Sequence, residues 1–246
     1  VMTRAEASGY YKDHWVPVTT ADGITKVRAK AVLSATGVFE QPAVFRGNDV
    51  PGVMLASAAQ RLVTRFATRP ADEAVFLVAN EDGYRAALDM IAAGVTIRAI
   101  ADLGQSSDRG LLAEHVRDKG VRILDQMAVY ETKAAKGRLT EVTLAPLDAT
   151  GACDLSMKIS IMCDGLFMSV GWAPAAAHLY QAGGRLAFDE NVGQFTPLHL
   201  PGGVFAAGRV NGIFNLADRI TDGECAGELA AAHALDRPVP TGKRPK

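Results

Sequence analysis

Two short stretches of small residues are the first candidates for chemistry. The run "AVLSATGVF", Ala31 to Phe39, passes through Ala35, Thr36 and Gly37, and near the other end of the chain "GVFAAGRVNG" passes through Ala207, Gly208 and Arg209. Side chains this small at the end of an apolar strand leave room for something to come close to the backbone. Taken alone, either stretch favours a simpler reading, a tight turn packed under a helix. A further candidate lies between them, in "ANEDGYRAA", where Gly83 and Ala86 stand in a G-x-x-A relation at the head of a helix. Asp102 follows Gly83 by 19 residues, a spacing that suits an acid pairing with a ribose hydroxyl in an NAD site. Glu81 and Asp82 oppose this, because they occupy positions where glycines are expected and their carboxylates would repel a pyrophosphate. The other reading makes Asp102 a strand-end surface residue and Asp82 the N-cap of its helix. Arg209 places a cation after "AAG", which suits a phosphate or an adenine nucleotide unless it is simply a loop-surface arginine.

No residue presents itself as a general base or nucleophile. The five histidines, His14, His115, His178, His199 and His233, are scattered outside any catalytic spacing, and His115 and His233 read as helix-surface residues. Cys153, Cys163 and Cys225 form no C-x-x-C pair and have no histidine at zinc spacing. They are expected to be buried, reduced thiols of a cytoplasmic protein, with no metal site.

Composition narrows the partners. Among 246 residues, 26 Lys and Arg nearly cancel 27 Asp and Glu, for a net charge of -1, which argues against nucleic acid. The apolar stretches are strand-sized, short of the roughly 20 residues that a membrane helix needs, so a soluble protein with no membrane partner is expected. The chain opens on "VMTRAEASGYY", without a signal peptide, and reads as an excerpt of something longer.

The elements that must position the candidates alternate. "WVPVTT" and "AKAVLSATG" read as strands, "EQPAVFRGNDVPG" as a linker-like stretch, and "LASAAQRLVTRFAT" as a helix with one apolar stripe. Strand "AVFLVAN", helix "YRAALDMIAAG", strand "VTIRAIAD", helix "RGLLAEHVRDKG" and strand "VRIL" then make a βαβαβ unit, half of a doubly wound sheet. The period changes from 3.6 to 2 in "MAVYETKAA", "GRLTEVTLAP" and "DLSMKISIMC", an antiparallel meander laid beside that sheet. A short helix "AAAHLYQAGG", the strand "GVFAAGRVNG", an alanine-rich helix "GECAGELAAAHAL" and the basic, proline-rich tail "DRPVPTGKRPK" complete the chain.

Two small-ended strands flanking a βαβ unit and a meander resemble the flavoprotein superfamily with two dinucleotide-binding domains, the pyridine nucleotide-disulfide oxidoreductases. The likeness narrows on "GYYKDHWVPV", "AKAVLSATGVFEQPAVFRGNDVPGVMLASAAQRL" and "NGIFNLADRITDGECAGELAAA", which resemble the middle of the alpha subunit of heterotetrameric sarcosine oxidase and related amine and opine dehydrogenases. "NDVPGVMLASAAQ", Asn48 to Gln60, is its most specific part.

The resemblance implies an α/β fold, a doubly wound parallel sheet. Residues 1-50 and 171-246 would form the remainder of the first dinucleotide-binding domain, and 70-170 an inserted second one with the β-meander. Its cofactor residues would be Ala35, Thr36, Gly37, Gly83, Asp102, Gly208 and Arg209, holding NAD or FAD, with FMN or FAD in partner subunits. Typical subunits carry a G-x-G-x-x-G turn ahead of this region and a folate-binding domain behind it. Arg209 departs from the superfamily, which often has an aspartate there for the flavin's ribityl chain. The implied activity is oxidation of a secondary amine such as sarcosine in a multi-subunit complex, with the segment alone inactive. A stand-alone NAD(P)H-dependent flavoprotein reductase and a non-catalytic scaffold with decayed nucleotide sites remain as alternatives.

Overall fold

The computed structural model describes residues 1–238. It divides into two compact units, one made of Val1–Phe39 with the chain from Trp172 onward, the other of Glu40–Gly171. The end of the basic tail, 239–246, lies outside the described residues.

The first unit opens with an antiparallel sheet of β1 (Glu6–Ala7), β2 (Trp15–Thr20) and β3 (Gly23–Arg28), followed by β4 (Val32–Ser34) and β5 (Val38–Glu40). The second unit runs β6 (Val53–Leu55), α1 (Ala56–Phe66), β7 (Glu73–Val78), α2 (Glu81–Ala92), β8 (Thr96–Asp102), α3 (Gly110–Asp118) and β9 (Ile123–Asp125). It continues through β10 (Met127–Ala135), β11 (Arg138–Pro146), β12 (Ile159–Met162) and β13 (Gly165–Ser169). The chain then re-enters the first unit with β14 (Trp172–Pro174), α4 (Ala177–Gln181), β15 (Arg185–Asp189), β16 (Gln194–His199), β17 (Val204–Ala206) and α5 (Leu216–Ala234).

In the second unit five parallel strands lie in the order β6-β13-β7-β8-β9. "AVFLV" of β7 reads as an unbroken apolar run because both its faces are covered. Phe76 and Val78 point into a core with Tyr84, Met90, Ile100, Val116 and Phe167, on the side of the helices. Val75 and Leu77 point the other way, onto Leu139, Val142, Leu144 and Leu166, beneath the antiparallel sheet β10-β11-β12. The rings of Phe76 and Phe167 meet edge to face with centroids 5.3 Å apart, an arrangement favoured by the ring quadrupoles. The doubly wound sheet and its meander are therefore as expected, with two strands more, β6 at one edge and β13. β13 returns between β6 and β7, and its short run "GLFMS" carries no strand signal strong enough to stand out between its turns.

In the first unit β4 and β17 pair in parallel, Val32 with Val204 and Ser34 with Ala206. A small core of Val204, Ala206, Val210, Ala176 and Leu179 lies against them. Three local expectations need correction. The meander's last segment begins as a 3-10 turn, Leu155–Met157, because the Asp154 side chain accepts the Ser156 N–H and closes a turn before the strand. α5 begins at Leu216, seven residues before the glycine expected to start it, because Asn215 caps it by accepting from Ala217 N and Asp218 N. The β15–β16 hairpin, with Phe188 and Phe195 facing across the ladder, is an addition to the expected elements.

Of the three thiols, Cys163 is buried, whereas Cys153 and Cys225 are only half-buried, contrary to the expectation for all three. Burial, and secondarily the neighbouring Asp164 charge, push the Cys163 thiol up to about 12. A thiol so raised keeps its proton and is a poor nucleophile. At about pH 9, iodoacetamide should label Cys153 and Cys225 of the folded protein and leave Cys163 unmodified, with Cys163 labelled only after unfolding. Peptide mass mapping reads this out; equal labelling of all three thiols in the folded state would refute the assignment.

Candidate functional site

In the first unit the candidate residues gather at the carboxyl ends of β4 and β17. The Ala207 N–H donates to the Ser34 carbonyl at 2.9 Å, which holds the two strand ends side by side. Thr36 Oγ1 donates to the Ala175 carbonyl at 2.7 Å, and lies 3.1 Å from Ser34 Oγ. The Ala175 N–H returns a bond to the Gly37 carbonyl at 3.0 Å. Thr36 is therefore a positioning residue in a tied turn.

Gly37 and Gly208 both have φ of +76°, a left-handed conformation that side chains disfavour. A Cβ on either would meet no atom within 4 Å. The reason for glycine at these two strand ends is thus backbone conformation, and the space beyond each Cα is open. Both features fit a ligand running close along the backbone.

A carboxylate with no motif to mark it in the sequence anchors this turn. Asp222, on α5 and 0% exposed, accepts from the Gly208 N–H at 2.8 Å and from Asn211 Nδ2 at 3.3 Å. The one available signal is an acid within an alanine-rich helix, which by itself reads as solvent-facing. Arg209 is half-buried, not spread on a loop surface as one reading had it. Its guanidinium lies over the Trp172 ring at 5.1 Å and the Phe214 ring at 5.4 Å, a pair of cation–π contacts. The Arg209 carbonyl accepts from the buried Gln194 Nε2 at 2.7 Å.

In the second unit Gly83 and Asp102 occupy the carboxyl side of the sheet, at the start of α2 and the end of β8. Gly83 is required by packing. A Cβ there would lie 2.5 Å from Val78 Cγ1 and 3.2 Å from Ser169 Cβ, so its absence lets α2 sit close on β7 and β13. Asn80 is the N-cap, accepting from the Gly83 N–H at 3.2 Å, which corrects the assignment of that role to Asp82. Glu81 is exposed and pairs with Arg85 one turn on, at 3.4 Å.

Asp102 is 0% exposed and so is not the surface residue of the alternative reading. Oδ1 accepts from Gly104 N at 2.9 Å and Arg109 Nη2 at 3.0 Å. Oδ2 accepts from the Tyr84 hydroxyl at 2.8 Å and Arg109 Nε at 3.1 Å. Burial, and then the Asp102 carboxylate, raise the Tyr84 pKa, so the phenol remains a donor. The bond to Asp102 likewise raises the Arg109 guanidinium and keeps it charged. Arg109 and Tyr84 do not stand out in the sequence, because the role of Arg109 depends on the bend after β8 and that of Tyr84 on the packing of α2, neither of which a local motif marks.

No family model matches the chain. It is 30% identical over 231 residues to the sarcosine oxidase alpha subunit of Corynebacterium sp. (strain P-1), a match covering 89% of this chain and 23% of that protein. The same protein of Corynebacterium sp. (strain U-96) is 31% identical over 213 residues, covering 86% and 22%. That of Rhizobium meliloti (strain 1021) is 29% identical over 214 residues, covering 87% and 20%. The chain thus spans less than a quarter of the length of these relatives. Among solved structures it is similar to L-proline dehydrogenase from P. horikoshii, with a TM-score of 0.63 at 18% identity, covering 96% of this chain and 42% of that one. T. acidophilum thioredoxin reductase gives 0.66 at 18% identity, covering 94% and 73%. An FAD-dependent pyridine nucleotide-disulphide oxidoreductase from Desulfovibrio vulgaris gives 0.56 at 14%, covering 85% and 53%. These likenesses show the fold that the chain shares with those structures.

The packing role of Gly83 is testable. Gly83→Ala should destabilise the second unit by about 1–3 kcal/mol through overpacking against Val78 and Ser169, measured by urea unfolding. A variant as stable as the parent would show that α2 is free to shift away from the sheet.

Proposed function

We propose that this chain is the central, dinucleotide-holding segment of the alpha subunit of a heteromeric amine-oxidising flavoprotein of the sarcosine oxidase type. One observation carries the reading. The similarity to sarcosine oxidase alpha subunits runs through 231 residues, more than either compact unit contains, so it takes in the strand ends of the first unit as well as the inserted second unit. The paired strand ends support it, because Gly37 and Gly208 leave open space where a dinucleotide backbone would run.

In this reading Ala35, Thr36, Gly37 and Gly208 line the path of NAD or FAD in the first unit, and Arg209 offers positive charge to a phosphate or an adenine nucleotide. Asp222 holds the Gly208 turn in shape without touching the ligand. A bound flavin or nicotinamide supplies a two-electron acceptor. The substrate is a secondary amine whose C–H and N–H are lost together in forming an imine. Its pocket, and further FMN or FAD, lie with partner subunits. The cysteines, none of them in a disulfide among the described residues, are in keeping with a cytoplasmic protein. A stand-alone reductase of disulfides is less well supported, since no C-x-x-C is present.

Calorimetric titration with NAD and with FAD tests the first-unit site. Gly208→Val would fill the open space and strain the turn, and should weaken binding about tenfold or more while circular dichroism confirms the fold. Unchanged affinity in a folded Gly208→Val protein would sink the proposal. Sarcosine turnover should require the partner subunits, so turnover by the chain alone would also refute it.

A further inference from the structure

We infer that the second unit is a nucleotide-binding fold closed from within, so that a dinucleotide engages the first unit only. The role given to the first unit rests on the proposed function, whereas closure of the second rests on two independent features of its own.

The first feature is the switch point of the sheet. In open parallel sheets ligands bind beyond the carboxyl ends of two neighbouring strands whose connections leave in opposite directions. Here those strands are β7 and β13, since β7 leads by α2 to β8 on one side while β13 arrives on the other. Their ends are laced together. Asn80 Nδ2 donates to the Ser169 carbonyl at 3.1 Å, Ser169 Oγ donates to Asn80 Oδ1 at 3.1 Å, and the Ala79 N–H donates to the same Ser169 carbonyl at 2.9 Å. Asn80 Oδ1 also takes the Gly83 N–H of α2, an amide that a pyrophosphate at the helix start would use.

The second feature is Asp102. A carboxylate reads a ribose by accepting from its hydroxyls, which requires free acceptor positions and access. Asp102 has neither: four donors from Arg109, Tyr84 and Gly104 occupy its two oxygens, and it is 0% exposed. The bidentate Arg109 pair is the strong geometry for a guanidinium and a carboxylate. A neutral hydroxyl offers less than the cation it would have to displace, and displacement would leave a buried charge unpaired. Closure therefore comes from Arg109 and Tyr84. The Glu81 carboxylate that the sequence pattern points to takes no part, since it faces outward onto Arg85.

Closure separates two classes of function. Passage of electrons from a pyridine nucleotide to a flavin within one chain needs both dinucleotide domains open. A chain with only the first open holds one nucleotide and receives or passes electrons through partners.

Hydrogen–deuterium exchange on the purified protein, with NAD or NADPH added in separate runs, tests it. Protection should appear in 34–38 and 206–212 and be absent from 79–84 and 103–110. Protection of 79–84 or 103–110 by either nucleotide would overturn the inference. Protection in neither unit would agree with a closed second unit and count instead against the proposed first-unit site. Arg109→Gln should speed exchange in 102–110 and leave NAD and NADPH affinity within about twofold. A loss of about tenfold or more would make Arg109 a phosphate-binding residue and refute closure, and the wild-type exchange pattern decides the matter should this variant fail to fold.

Discussion

The second unit depends on one constraint: β7 is buried on both faces. A parallel strand in this position can hydrogen-bond to both neighbours, but its side chains alternate into two separate cores that each need a cover. Phe76 and Val78 require the helices, and Val75 and Leu77 require the β10-β11-β12 sheet. The meander is thus the second lid of a two-sided sheet. The same constraint explains the glycine at 83, because the helix covering the Phe76 side must begin within contact of Val78.

Covering both faces also decides where polar groups can go. At the carboxyl ends of the strands the backbone leaves the ladder, and buried donors and acceptors there must find partners locally. In the second unit they find them within the protein, through Asn80 with Ser169 and through Asp102 with Arg109 and Tyr84. In the first unit they also find them within the protein. Asp222 satisfies the Gly208 amide from below, and the open faces of Gly37 and Gly208 stay uncovered among the described residues. The two strand-end geometries differ instead in space: a Cβ at Gly83 would lie 2.5 Å from Val78, whereas one at Gly37 or Gly208 would meet nothing within 4 Å. That difference underlies the proposal that one unit binds a ligand.

Much of the architecture is legible in the sequence because it is periodic. The βαβαβ run, the change to period 2 at Met127 and the small residues closing "AVLSATG" and "GVFAAG" are local patterns with local causes, and the resemblance to sarcosine oxidase alpha subunits can be read from "NDVPGVMLASAAQ" and its neighbours. What stays hidden has no local signature. β13 and the β15–β16 hairpin are short and flanked by ordinary turns, so only their partners make them strands.

The candidate site divides along the same line. Gly83, Asp102, Gly208 and Arg209 are identifiable by type and spacing, but spacing alone cannot say whether an acid faces a ligand or another side chain. Arg109 lies seven residues beyond Asp102, and Tyr84 lies on a different element; only the bend after β8 and the packing of α2 bring both onto one carboxylate. Asp222 meets Gly208 because α5 packs on β17, and Arg209 lies between Trp172 and Phe214 because the strand ends converge. The sequence by itself determined the periodic elements and the residue types at the strand ends, since these follow from side-chain size and alternation along the chain. Only the tertiary structure decided which polar groups satisfy one another, because hydrogen-bond partners are chosen by distance in space and not by distance along the chain.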